Sequence, residues 1–168
     1  MTTLILTVAG SDRPGLVAAV ADVVDAHGGN WENSQLAEIA GVFAGVIQIS
    51  ITPEHETALA GALRTLDGLL TIAVHTGADA ATPAERPITL QVLGNDRPGI
   101  VREVSAVLRG HDLSIQDMLT ETRDAAMAGG RLFEATVSAT VPESTDLSAI
   151  RADLERLTAE LQVDITLD

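Results

Sequence analysis

Cysteine is absent from this chain of 168 residues. That excludes disulfides, thiolate nucleophiles and cysteine metal sites. Lysine is absent too: the ten basic residues are all arginines, set against 24 acidic ones, for a formal net charge of −14. Direct nucleic-acid binding rests on basic neutralisation of phosphates, so this balance disfavours it. Any effect on transcription is therefore expected to run through another protein. The acidic charge also has a plain role, keeping a small apolar protein soluble. No apolar run approaches the roughly 20 residues of a membrane span. The N-terminus has no basic segment followed by an apolar one, so no signal peptide is expected. Together these absences predict a soluble, cytoplasmic protein without a membrane or nucleic-acid partner.

What the chain does contain is a repeat. Residues 8–17 read VAGSDRPGLV and residues 92–101 read VLGNDRPGIV. Asp12, Arg13, Pro14 and Gly15 return as Asp96, Arg97, Pro98 and Gly99, an offset of 96 − 12 = 84 residues, which is half of 168. Two units are predicted, 1–75 and 88–168. The segment between them, 76–87, has no apolar periodicity and carries two prolines, as a linker does. Units of about 80 residues lie near the lower limit for burying an adequate core alone. They are expected to pack on each other or on another chain.

Each half reads as β-α-β-β-α-β. Leu4, Leu6 and Val8 alternate with Ile5 and Thr7, a strand pattern. A helix is expected from about Pro14 to His27, with Ser11 or Asp12 as its cap and Leu16, Val17, Val20, Val23 and Val24 as its apolar stripe. Gly28 suits a left-handed C-cap. A hairpin turning near Ala40-Gly41, a helix over about Glu54–Leu66 and a strand with Leu70, Ile72 and Val74 complete the unit. The second half repeats this order. Pro142 stands 142 − 53 = 89 residues after Pro53, so about five residues are inserted, in the hairpin loop 124–130. Ser144, Thr145 or Asp146 is expected to cap its last helix. This is the ferredoxin-like order of an α+β fold, a four-stranded antiparallel sheet with two helices on one face. The other face of each sheet needs a cover or must meet water.

The repeated turn joins a strand end to a helix start. Helix-start amides lack intrahelical partners and the helix dipole adds positive potential, so a carboxylate is a natural guest. Asp12 and Asp96 can accept from an ammonium group. The combination suits a zwitterionic amino acid; on the residues alone, a stiff corner with Asp as cap, Pro as helix start and no ligand is the favoured alternative. His27 and His111 recur at helix ends, where imidazole favours the negative dipole end; without a tight His/Asp/Glu spacing no metal is expected. Trp31, the only tryptophan, is expected to pack at an interface or line a pocket wall. Met127, with Gly129 and Gly130, suggests a partner-contacting loop or a tolerated insertion. No nucleophile has a histidine at a suggestive spacing, which argues against an enzyme.

The element order, the D-R-P-G-[L/I]-V turn after the first strand, and the N-W or S-I that opens the second strand resemble the ACT domain. Two such domains in a short chain, and the stretches GSDRPGLV and HGGNWENSQLA, resemble the glycine cleavage system transcriptional repressor family. The resemblance covers nearly the whole chain. It implies a non-enzymatic regulator without a cofactor, binding a small amino acid, glycine being one candidate, where domains meet. It further implies a transcriptional regulator as protein partner, and a homodimer. Carried over by position, the ligand site is Ser11, Asp12, Arg13, Pro14, Gly15 and Leu16, opposed by Asn30 and Trp31 of a neighbouring unit. Its second copy is Asn95, Asp96, Arg97, Pro98, Gly99 and Ile100, with Ser114 and Ile115. Ser114 replaces Asn30 and Asp112 replaces Gly28, which makes the first turn the stronger candidate. The competing class is a constitutive interaction module that binds no small molecule.

Overall fold

In the computed structural model, which describes residues 1–77, 85–124, 130–161 and 163–167, the chain forms two compact units, Met1–Ala80 and Ala81–Asp168. The first contains β1 (Thr2–Ser11), α1 (Leu16–Ala26), β2 (Asn30–Ile39), β3 (Val42–Ile51), α2 (Pro53–Leu63) with a 3-10 turn over Arg64–Leu66, and β4 (Thr71–Thr76). The second contains β5 (Glu85–Asn95), α3 (Ile100–Gly110), β6 (Ser114–Asp124), β7 (Arg131–Pro142), α4 (Leu147–Leu161) and β8 (Val163–Leu167). The sheets are antiparallel, ordered β2-β3-β1-β4 and β6-β7-β5-β8. This is the ferredoxin-like α+β fold, twice.

Alternation along the strands builds each core. Leu4, Leu6 and Val8 of β1 and Ile47, Ile49 and Ile51 of β3 are buried on one face, and Leu16, Val20 and Val24 of α1 close over them with Leu59 and Leu63 of α2. Each fully buried aliphatic side chain of this kind contributes about 1.5–3 kcal/mol. The second core repeats the plan with Leu90, Val92, Val104, Leu108, Val137 and Ile150. Val17, expected in the apolar stripe, is instead 45% exposed, and its counterpart Val101 is 42% exposed. Both follow the first helical residue and fall on the outer side of the helix.

Several boundaries differ from the sequence reading. Thr76 ends β4, and Glu85, Arg86 and Pro87 begin β5, so the strands run into the stretch read as linker; its residues 78–84 lie outside the described residues. Met127 and the inserted stretch 125–129 also lie outside them. Among the three candidate caps of α4, Asp146 is the one that bonds to the helix start: its Oδ1 accepts from Ser148 N–H at 2.9 Å and from Ser148 Oγ at 2.6 Å. Those bonds hold the Asp146 carboxyl below its ordinary range.

The faces turned away from the helices differ in charge. In the first sheet, strand register places Ile5, Thr7 and Ala9 beside Gln48, Val46 and Ala44, then Gln35, Ala37 and Ile39 at the edge. Among the described residues the one carboxylate that reaches this face is Glu32, at the β2 bulge, where it accepts from Gln48 Nε2 at 3.1 Å. Ile39, Val42 and Val46 are exposed on it. The corresponding face of the second sheet carries Asp117, Glu121, Arg123 and Glu134.

Candidate functional site

The repeated turn has the same backbone in both units. Ser11 is the last residue of β1, and the Asp12 N–H donates to Gly41 O at 2.9 Å, tying the turn to the β2–β3 hairpin tip. Gly15 then adopts φ +92°, a left-handed geometry that admits glycine far more readily than other residues. This reverses the chain so that α1 begins at Leu16, which is buried and anchors the corner. In the second unit Asn95 ends β5, the Asp96 N–H donates to Arg131 O at 2.8 Å, Gly99 has φ +99° and Ile100 is buried.

The expected capping by Ser11 or Asp12 is therefore corrected. The N-cap position is Gly15, and among the described residues no side-chain cap bond is made to the start of α1; the same holds for Gly99 and α3. Pro14 and Pro98 lie in the turn, before the helix. The left-handed glycine puts everything N-terminal to it outside the helical path. The C-cap expectation fares better. Gly28 has φ +72°, with its N–H on Asp25 O and that of Gly29 on Val24 O. Asp112 takes the same left-handed position in the second unit, φ +56°, with the same bonding pattern.

The two arginines have different partners. Arg13 reaches 55 residues along the chain and donates from Nη2 to Gly68 O at 3.0 Å and Leu69 O at 3.4 Å. These are neutral acceptors, and among the described residues no carboxylate lies within ion-pair distance of Arg13. Arg13 and Ser11 line a hollow of about 200 Å³ with Ala9, Gly10 and the loop Gly68–Thr71. Arg97 instead pairs with Glu103, Nη2 to Oε2 at 2.8 Å, and donates to Pro98 O at 3.2 Å. A larger hollow, about 530 Å³, opens beside it between Asp96, Gly99, Ile100, Val101, Arg102, Thr122 and Phe133.

Within one unit the turn and the residues expected to oppose it are apart. Ser11 pairs with Val42 at one end of the sheet, while Asn30 and Trp31 pair with Ser50 and Ile49 at the other. Trp31 is half-buried against the core and, with Asn30, Ala21, Val24, Asp25 and Gly29, lines a separate hollow of about 260 Å³. Ser114 and Ile115 occupy the matching end of the second sheet, both exposed. The carbonyls of Gly68 and Leu69 were missed by sequence reasoning, because Asp67-Gly68 reads only as a helix end.

The histidines are engaged locally. His27 Nδ1–H donates to Val23 O at 2.8 Å, and His111 Nε2–H donates to Asp153 Oδ2 at 2.8 Å. The bond from His111 is the main cause that holds the Asp153 carboxyl below its ordinary range. Among the described residues no group of three or more His, Cys, Asp or Glu could hold a metal ion, and no helix is long and apolar enough to cross a membrane.

Comparison with known proteins identifies the family of both units. The family model described as the ACT domain matches twice, over residues 2–76 and 86–168. The chain is 26% identical over 162 residues to the glycine cleavage system transcriptional repressor of Escherichia coli (strain K12), covering 94% of this chain and 85% of that protein. The protein of the same name from Shigella flexneri matches equally. A crystal structure of an unknown protein from Galdieria sulphuraria superposes with a TM-score of 0.90 at 29% identity, covering 99% of this chain and 97% of that one.

Proposed function

The chain belongs to the ACT domain family, and from that premise we propose that it is a cytoplasmic, non-enzymatic regulator that senses a small amino acid. The ligand docks at the first turn, Ser11–Leu16, and changes the affinity of the protein for a transcriptional regulator. The observation that carries this reading is the uncapped start of α1, which follows just after Arg13 in the chain, a cation with no carboxylate partner among the described residues. A ligand carboxylate complements the helix start and the guanidinium. The Asp12 carboxylate is available to the ligand ammonium. The likeness to a glycine cleavage system transcriptional repressor supports a regulatory role and makes glycine the first amino acid to test. The net charge of −14 supports action through a protein partner rather than on nucleic acid.

The same reading includes a homodimer. Two copies of a chain with this net charge repel each other, so a shared face is best nearly free of charge. The open face of the first sheet meets that condition, with exposed Ile39, Val42 and Val46; the acidic face of the second sheet does not. A second copy of the chain, packed sheet to sheet, is the proposed cover.

A thermal-shift screen against the twenty amino acids at millimolar concentration tests the sensor. A ligand at about 100 times its dissociation constant adds roughly 2.7 kcal/mol of stability. A selective rise with one or a few amino acids, abolished by Asp12→Ala, is expected. No rise with any amino acid would favour a constitutive interaction module, for which the nearly uncharged sheet face is the supporting feature.

A further inference from the structure

The two turns share a backbone but differ in the charges that follow them. At the offset of 84 residues, Ala18 corresponds to Arg102 and Ala19 to Glu103. The first turn of α1 therefore carries no acid, while that of α3 carries Glu103. Glu103 is bonded to both nearby arginines, through Oε2 to Arg97 Nη2 at 2.8 Å and through Oε1 to Arg102 Nη2 at 3.5 Å. It also lies over the helix start: a methyl group added at Gly99 would stand 3.3 Å from Glu103 Oε1, whereas one added at Gly15 would meet nothing within 4 Å.

We infer that Glu103 is a built-in carboxylate that silences the second turn, so that the protein binds amino acids at the first turn alone. This rests on the proposed ligand site. The hollow beside the second turn is the larger of the two, so space does not decide the matter. Charge does. A ligand carboxylate arriving at Arg97 must displace an intramolecular one that is already in place, and it meets the Glu103 charge as it does so. At the first turn Arg13 is held by two neutral carbonyls, and its charge is left for the ligand. Glu103 is thus a specificity-determining residue, and the duplicated chain has one working site and one closed copy.

Equilibrium dialysis of the full chain against an equimolar mixture of the twenty amino acids, with total bound amino acid counted per chain, tests this. Wild type should bind one equivalent and Glu103→Ala two. The converse variant, Ala19→Glu, should bind none. Two equivalents on wild type, or one on both wild type and Glu103→Ala, would overturn the inference while leaving the amino-acid sensor intact. No bound amino acid on wild type and Glu103→Ala alike would overturn the sensor itself, and the inference with it. Circular dichroism of each variant checks that the fold is kept.

Discussion

Exchanging a glycine for alanine should have opposite effects at two positions of the first unit. At Gly15 the backbone has φ +92° and an added methyl group meets nothing within 4 Å. The cost of Gly15→Ala is therefore conformational rather than steric, about 1–2 kcal/mol for a non-glycine residue held left-handed. Gly61 lies in α2, also with open space around it and no left-handed geometry. There alanine restricts the unfolded chain and improves helix propensity, a gain of roughly 0.5–1 kcal/mol. In a unit of this size each kcal/mol moves the melting temperature by about 4–8 °C. Urea titrations and thermal melts of the full chain should thus place Gly15→Ala below wild type and Gly61→Ala above it. Equal shifts, or a stabilised Gly15→Ala, would refute the claim that the turn requires a left-handed glycine. Gly15→Ala should also weaken amino-acid binding, because the same residue sets where the first helical amides point.

Three further outcomes are expected. Val46→Glu puts a carboxylate in the middle of the nearly uncharged sheet face, and sedimentation analysis should then find monomer where the proposed wild-type dimer is lost; a dimer that persists would relocate the interface. Asp153 is held below the ordinary aspartate value of 3.8, first by its bond from His111, so its contribution is present above that value and is lost as pH falls through the lower folded value. The stability advantage of wild type over Asp153→Asn should accordingly shrink on acidification below about pH 4; an advantage that grows there would contradict the assignment. Asp146→Ala removes the α4 cap and should lower the midpoint of a urea titration, with Ser144→Ala near neutral as the control; equal midpoints for the two variants would show that the cap bonds add nothing to stability.

Much of the fold was legible in the sequence because its signals are local or repeated. Period-two runs such as Leu4, Leu6 and Val8 mark strands, and the offset of 84 residues marks the duplication. The helix start was not legible, for a physical reason. Asp12 and Pro14 are good cap and first-turn residues by type, but the left-handed Gly15 excludes both from the helix. Arg13 was legible as a candidate site residue and its partners were not, since the Gly68 and Leu69 carbonyls lie 55 and 56 residues away. The contrast between Ala19 and Glu103 was present in the repeat, just beyond the turn itself. Its meaning depends on side-chain geometry that spacing alone does not give.

The central claim, that an amino acid docks at the first D-R-P-G turn, is tested most directly by amide-resolved NMR. Each chain is 17.5 kDa, and the proposed dimer of two chains is still within reach of a backbone-assigned titration. Adding the amino acid selected by the thermal-shift screen should move the amide signals of Ser11, Asp12, Arg13 and Gly15–Val17 and of Gly68 and Leu69, and leave those of Asp96, Arg97 and Gly99–Val101 in place. Shifts centred elsewhere, or none at saturating amino acid, would contradict it.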